Sequence, residues 1–201
     1  SIEVKPFDLP DIWARIAGLD FGYDHPTAVV WVAHDRESDT VYIYDTYRLS
    51  KAVPIIHAAA INSRASWIPV VWPHDGYQHD KGSGITLADH YRQQNVNMLP
   101  EHFTNPVAPG QTKGNISIEP GISEILQRME TDRFKVFSTC FDWFTEFQQY
   151  HRKDGKIVPK SDDLMSCTRY AVQSLRHAVT GEAPGYRNFD RKIEYDNSFI
   201  V

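Results

Sequence analysis

The feature that most constrains the fold of this chain is a set of three short apolar runs near its start. They occupy residues 16–21, 27–33 and 40–47, and the turn residues Gly22 and Pro26 separate the first two. The second run is rich in β-branched residues, and the third alternates between apolar and polar positions with period two, as strands do. The sequence therefore predicts three consecutive strands that form a meander.

Helices and further strands alternate after the meander. The most regular helix is predicted over residues 162–178, where one apolar stripe holds Leu164, Cys167, Ala171, Leu175 and Ala178. Asp154 and Gly155 form a hairpin-type turn. The other predictions are helices over residues 53–65, 85–94, 121–131 and 140–148, and strands over 67–72 and 96–99. This order predicts an α/β fold with a mixed central sheet and helices on its faces.

Composition indicates one globular domain. The chain has 201 residues, of which 41% are hydrophobic and 23% are charged, a balance that excludes a disordered or fibrous protein. No apolar run approaches the roughly 18 residues that cross a bilayer, so no membrane partner is expected. The two cysteines, Cys140 and Cys167, lack zinc-type spacing and are typical of a reducing compartment. We expect a linker over residues 1–11, a domain over 12–180 and a mobile tail over 181–201.

Two aspartates lie where apolar strands are predicted to end. Asp20 occurs in the run I-A-G-L-D-F-G, between Gly18 and Gly22, and Asp75 follows V-V-W-P-H. A carboxylate in an apolar run is costly to bury unless it is paired or binds a metal ion. The flanking glycines would let a metal ion or a substrate backbone approach the strand closely. The alternative is structural, with Asp20 capping the following turn and Asp75 serving as an ordinary turn residue.

Asp162 and Asp163 open the last predicted helix. Negative charge at a helix N-terminus is commonly structural, because it complements the helix dipole, and Ser161 could cap this helix. At about 100° per residue, Asp163 flanks the apolar stripe whereas Asp162 lies opposite to it. Asp163 is therefore expected to face the strands, and Asp162 to point to solvent or to act as an outer ligand.

Asp20, Asp75 and Asp163 together supply the ligands that hard divalent cations prefer. Mg²⁺ and Mn²⁺ take oxygen ligands and keep several waters. Two such ions about 4 Å apart can activate water and stabilise the leaving oxygen when a phosphodiester is cleaved. The joint placement of the three acids therefore favours a metal-dependent hydrolase.

The same motifs resemble a known family. The order of a strand with Asp20, a meander, a helix, a strand with Asp75 and a late helix at Asp163 is similar to that of RNase H-like nucleases. More narrowly, G-L-D-F-G with H-P-T-A-V-V-W, W-P-H-D-G and S-D-D-L-M-S-C-T-R-Y-A resemble the C-terminal nuclease domain of the large terminase subunit of tailed, headful-packaging bacteriophages. The resemblance covers roughly residues 12–178. It implies an RNase H-like sheet, with a meander of three strands followed by parallel strands, and helices on both faces.

The resemblance also implies a two-metal endonuclease that acts in DNA packaging. Asp20, Asp75 and Asp163, with Asp162 as a further candidate, would hold two Mg²⁺ or Mn²⁺ ions and cut concatemeric double-stranded DNA. The implied partners are an N-terminal ATPase domain, the portal protein and the small terminase subunit, at the procapsid portal in the host cytoplasm. No G-x-x-x-x-G-K-[ST] run occurs in this chain, so ATP hydrolysis is not expected of it.

Basic residues could hold the DNA backbone, since Lys and Arg neutralise phosphates. Residues 151–178 contain six Lys or Arg against three acids, although the whole chain has a net charge of −5. The candidates are Lys81, Lys113, Arg152, Lys153, Lys156 and Lys160. An ordinary solvated turn explains the hairpin charges nearly as well. The balance predicts a local DNA site that bound metal ions complete.

Three alternatives remain open on the sequence. Another RNase H-like nuclease, such as a junction resolvase or a transposase-like enzyme, would use the same acids. A non-catalytic docking module of a packaging motor would bind no divalent metal. A zinc hydrolase would use His74 and His79, whose surroundings lack the short spacing of zinc ligands.

Overall fold

The structure, a computed structural model, describes residues 1–79, 84–150, 152–153, 156–157 and 162–181. Its central strands are β1 (Glu3–Val4), β2 (Ala14–Asp20), β3 (Thr27–Asp35), β4 (Thr40–Leu49), β5 (Val70–Val71) and β6 (Phe134–Phe137). They form one six-stranded sheet in the order β1-β6-β4-β3-β2-β5. The predicted α/β fold with a mixed sheet is therefore confirmed.

The meander predicted from the apolar runs forms the middle of the sheet. Strands β2, β3 and β4 are antiparallel, and β5 and β6 add in parallel to β2 and β4. Every residue of β2 before Asp20 is buried, as are the first seven residues of β3. Burial on both faces explains why these strands read as continuous apolar runs.

Five α-helices among the described residues cover the sheet: α1 (Pro54–Asn62), α2 (Leu87–Gln93), α3 (Ile118–Glu130), α4 (Phe141–Gln149) and α5 (Asp163–Val172). Ala17 and Leu19 of β2 pack with α1 and α2 on one face. Ile16 belongs to the cluster that includes α4 and α5 on the other face. The prediction of helices on both faces is confirmed. No helix within the described residues is long and apolar enough to cross a membrane.

Two predicted strands are shorter than the sequence indicates. Prolines at positions 69 and 73 bracket β5, and since proline donates no backbone hydrogen bond the ladder is limited to Val70–Val71. The segment predicted as a strand over residues 96–99 makes only an isolated bridge, between Met98 and Val70. The parallel strand that flanks the meander on its other side is instead β6, which the sequence analysis did not predict.

The last helix is also shorter than the predicted range of 162–178. Helix α5 ends at Val172, and a 3₁₀ turn follows at Leu175–His177. The chain then turns so that Val179 exchanges both backbone hydrogen bonds with Arg15 of β2. This tertiary pairing overrides the helical periodicity of the sequence.

The structure describes the expected N-terminal linker but only the first residue of the expected C-terminal tail. Within residues 1–11, expected to be a linker, β1 pairs in parallel with β6, and Phe7 packs against Phe137. Of the expected mobile tail, residues 182–201 lie outside the described residues. The predicted turn at residues 154–155 lies outside the described residues, but the strands on either side of it, β7 (Arg152–Lys153) and β8 (Lys156–Ile157), pair antiparallel.

Candidate metal centre

Asp20 is the last residue of β2, at the end of a strand in the interior of the sheet. Side chains alternate between the two faces of a strand, so Asp20 shares its face with Ile16 and Gly18. That face carries α5, because a Cβ at Gly18 would overlap the carbonyl oxygen of Cys167. The Asp20 side chain therefore lies at the C-terminal end of β2, on the face of the sheet that α5 covers.

The glycines around Asp20 have a different role from the one expected. Gly18 admits the backbone of α5, whereas the sequence suggested room for a metal ion or substrate backbone. A Cβ at Gly22 would overlap the His25 backbone and ring, so this glycine is needed for the tight turn after β2. Cys167 is buried in this contact and its Sγ donates a hydrogen bond to the Ala28 carbonyl oxygen at 3.1 Å. It belongs to the core, as its place on the apolar stripe predicts.

Asp163 is the first residue of α5 and is only 8% exposed. Its Oδ1 lies 3.2 Å from Nδ1 of His25, and its Oδ2 lies 3.7 Å from Nη2 of Arg48 on β4. Asp162 occupies the N-cap position and is half-buried, and its side chain makes no capping hydrogen bond. Its carboxylate is thus not committed to the helix that it precedes.

Asp75 lies in a 3₁₀ turn, His74–Tyr77, that begins three residues after β5 ends. The side chain is exposed and borders an open cavity of about 310 Å³. His25, which pairs with Asp163, lines the same cavity. Asp75 thus borders the same cavity as His25, the partner of Asp163.

The four carboxylates interact electrostatically at Asp20. Burial, followed by the negative charge of Asp163, raises the pKa of Asp20 to about 7, and Asp162 and Asp75 raise it further while His25 lowers it. Burial and the charge of Asp163 also raise the pKa of Asp162. Like charges close together in a partly dry site disfavour the ionised forms. The cluster therefore gains stability from any cation that neutralises it.

The chemistry of these donors fits a hard divalent cation, since all four are carboxylates. Within the part of the chain that the structure describes, no three His, Cys, Asp or Glu side chains are already close enough to hold a metal ion. The acids are thus electrostatic neighbours whose carboxylates still have to converge around a cation. The described residues contain no such group around His74 and His79 either, and both of these histidines are exposed.

Two residues of this region were missed by the sequence analysis. Glu146 of α4 is 2% exposed, and its Oε1 accepts a hydrogen bond from the Met165 N–H at 2.8 Å. Burial raises the pKa of Glu146 to about 7, although the Met165 amide and Arg48 oppose this. Arg48 Nη1 lies 3.7 Å from Glu146 Oε2. One signal was available, because Glu146 follows Trp143 by three residues and so falls on the apolar face of α4.

The predicted DNA-binding residues are only partly described. Lys113 is exposed in the loop that precedes α3. Arg152, Lys153 and Lys156 belong to the β7–β8 hairpin, which lies in the sequence between α4 and α5. Lys81 and Lys160 lie outside the described residues.

The sheet is mixed and contains an antiparallel meander. One of its inner strands ends in an aspartate, and the helix packed on that strand begins with a second aspartate. These features place this chain in the RNase H-like class. The model of the Terminase RNaseH-like domain family matches residues 17–175. The chain belongs to this family, and the resemblance found in its motifs is confirmed.

Known relatives agree with this assignment. The chain is 40% identical over 179 residues to the large terminase subunit of Salmonella phage P22, covering 89% of this chain and 35% of that protein. The solved P22 large terminase nuclease domain is 40% identical, has a TM-score of 0.80, and matches over 89% of this chain and 90% of that one. The manganese-bound large terminase nuclease domain of bacteriophage SPP1 shares the fold, with a TM-score of 0.56, 19% identity and coverage of 80% and 86%. The chain thus spans about a third of the length of its P22 relative.

Proposed function

We propose that this domain is a divalent-metal-dependent endonuclease that cuts concatemeric double-stranded DNA during phage genome packaging. The observation that carries the proposal is the effect of Asp163, Asp162 and Asp75 on the ionisation of Asp20. Carboxylates that repel one another around the end of a central strand oppose folding unless a cation neutralises them. Membership of the terminase family, which 40% identity to the P22 nuclease domain supports, indicates DNA as the substrate.

The proposed ligands are Asp20, Asp75 and Asp163, with Asp162 as a further ligand, and the proposed ions are two Mg²⁺ or Mn²⁺. The fold shared with the manganese-bound SPP1 domain is consistent with this choice. When bound, such ions supply Lewis acidity that activates water and stabilises the leaving oxygen of a phosphodiester. The carboxylate pKa of Asp20, raised to about 7, means that ion binding and loss of its proton are coupled.

The remaining residues position the acids and the substrate. Asp20 would contribute to holding both ions, and Asp75 and Asp163 would each hold one of them. His25 and Arg48 contact the two oxygens of Asp163 and hold its carboxylate in place. The basic hairpin before α5 binds the DNA backbone next to the acids, with Lys113, Lys81 and Lys160 as further phosphate contacts.

The proposed partners come from the length of the relatives. Because the P22 large subunit is nearly three times as long as the matched segment, we propose that this domain acts beside an N-terminal ATPase domain. The portal protein and the small terminase subunit complete the assembly, at the procapsid portal in the host cytoplasm. In that setting the motor supplies register along the DNA, and the domain itself cuts with little sequence preference.

Cleavage of supercoiled plasmid in Mn²⁺ tests the proposal. The wild-type domain is expected to nick and linearise the plasmid, and EDTA is expected to stop it. Asp20→Asn should reduce the rate at least about 10³-fold while leaving the circular dichroism spectrum unchanged. Asp142→Asn, an exposed aspartate on α4, is the matched control and should cut normally. Full cutting by Asp20→Asn would exclude the assignment, and a strong preference for four-way junctions would reassign the substrate.

A further inference from the structure

Helix α5 is capped by another helix. An aspartate at an N-cap position normally turns its own carboxylate back onto the first free amides of its helix. Asp162 does not make that bond. The Met165 N–H instead donates to Oε1 of Glu146, which reaches across from α4. A side chain of α4 therefore caps the start of α5.

The second oxygen of the same carboxylate has an unusual environment. Glu146 Oε2 is buried and has no hydrogen-bond partner among the described residues. Arg48 supplies an opposite charge among the described residues, with its Nη1 3.7 Å from Oε2 and its Nη2 3.7 Å from Oδ2 of Asp163. Burying a carboxylate with one oxygen unbonded is costly. This cost offsets the stability that Glu146 contributes to the contact between α4 and α5, so stabilising that contact does not by itself explain a glutamate here.

We propose that Glu146 and Arg48 are positioning residues of the metal centre. Glu146 caps α5 in place of Asp162, and the Asp162 carboxylate thereby remains available to a divalent cation. Arg48, held between Glu146 and Asp163, fixes the orientation of the Asp163 carboxylate. This inference rests on the proposed function, because it requires that the acids bind a cation.

The proposal makes a specific statement about Asp162. Without the Glu146 carboxylate, the free amides at the start of α5 attract the nearest acceptor, which is the Asp162 side chain at the N-cap. Asp162 is then withdrawn from the cation. Loss of Glu146 and loss of Asp162 should consequently weaken the site through the same step, and their effects should not add.

The test is a double-mutant cycle on Mn²⁺ affinity, measured by calorimetry on the whole chain. Glu146→Ala is expected to raise the Mn²⁺ dissociation constant about 10-fold, the lower range for residues that orient metal ligands. Asp162→Ala should weaken binding by a similar factor in the wild-type background, and by less than about 2-fold when Glu146→Ala is already present. Glu146→Gln keeps an acceptor for the Met165 amide, so it should recover most of the affinity and also serves if the alanine variant does not fold.

Thr168→Val is the matched control for loosened packing between the two helices. Thr168 Oγ1 accepts another α4–α5 hydrogen bond, from Trp143 Nε1 at 2.9 Å, and itself donates to the Leu164 carbonyl oxygen. It should lower the melting temperature and leave Mn²⁺ affinity unchanged. Additive effects of Glu146→Ala and Asp162→Ala, or equal effects of Glu146→Ala and Thr168→Val on affinity, would overturn the positioning role. A wild-type chain that binds no Mn²⁺ would overturn the proposed function itself, and this role with it.

Discussion

At the scale of single residues, Asp20 shows how the site opposes the stability of the domain that carries it. Burial and the charge of Asp163 raise the pKa of this carboxyl to about 7. At neutral pH the folded chain therefore holds a charge that its surroundings disfavour. A residue kept at such a cost, on a strand that is otherwise entirely buried, is better explained by binding than by folding.

The raised pKa of Asp20 predicts a specific dependence of stability on pH in the metal-free protein. Between the unfolded value of 3.8 and the folded value of about 7, the folded state binds more protons, so the free energy of unfolding falls as pH rises. Asp20→Asn removes this pH-dependent loss of unfolding free energy. At about pH 8 in EDTA we expect the variant to be more stable than wild type by about 1–3 kcal/mol, with the difference shrinking as pH falls through that window.

Urea unfolding at about pH 5 and about pH 8 measures this difference. Saturating Mn²⁺ should reverse the order, because a cation that binds only the folded state stabilises it by about 3 kcal/mol at a hundredfold excess over its dissociation constant. A difference between the two proteins that does not change with pH would contradict the electrostatic account of Asp20.

At the scale of elements, the site depends on how closely α5 approaches β2. Gly18 makes this approach possible, and Asp163 lies one helical turn before the residue that Gly18 contacts. Gly18→Ala should therefore push α5 away from the strand. We expect a loss of about 1–3 kcal/mol in unfolding free energy, as for other overpacked interiors, and at least about a 10-fold slower cleavage by the remaining folded protein.

Ala17→Gly provides the comparison, because residue 17 lies on the opposite face of the same strand. It should cost about 0.5–1 kcal/mol, as glycine does within a strand, without slowing cleavage per folded molecule. Chemical unfolding together with plasmid cleavage separates the two effects. A Gly18→Ala protein that is destabilised but cuts at the wild-type rate would show that the position of α5 does not govern the acids.

The elements that could be predicted from the sequence are those whose pattern is local. The meander strands and the start of α5 carry their own periodicity, and each was predicted. Strand β6 has only four residues, and its pairing with β1 and β4 brings together segments far apart in the chain. Its extended state is set by those partners, and four residues are too few for a periodic signal.

The same division applies to the site. Asp20, Asp75 and Asp163 could be proposed because each follows an apolar strand or opens a helix, which is a local signature. Glu146 and Arg48 could not, because Glu146 acts on α5 from another helix and Arg48 lies nearly one hundred residues earlier in the chain. Their roles depend on tertiary distances that the sequence does not contain.

At the scale of the whole molecule, the net charge of −5 conflicts with a polyanionic partner unless the charges are separated. Four of the negative charges belong to the proposed metal centre, where two divalent ions would neutralise them: Asp20, Asp75, Asp162 and Asp163. The basic hairpin lies just before α5 in the sequence. Binding of duplex DNA should therefore be weak in EDTA and should depend on salt.

The salt dependence gives the last prediction. The triple variant Arg152→Ala, Lys153→Ala, Lys156→Ala should lower the slope of log affinity against log salt by about 2–3, since each phosphate contact contributes about 0.9. Fluorescence anisotropy with a short labelled duplex measures the slope. Lys135→Ala is the control, because Lys135 already pairs with Asp132 at 2.5 Å and should leave the slope unchanged. Equal slopes for the triple variant and wild type would remove the hairpin from the DNA interface, whereas strong, salt-independent binding in EDTA would contradict a site that needs metal ions to accept DNA.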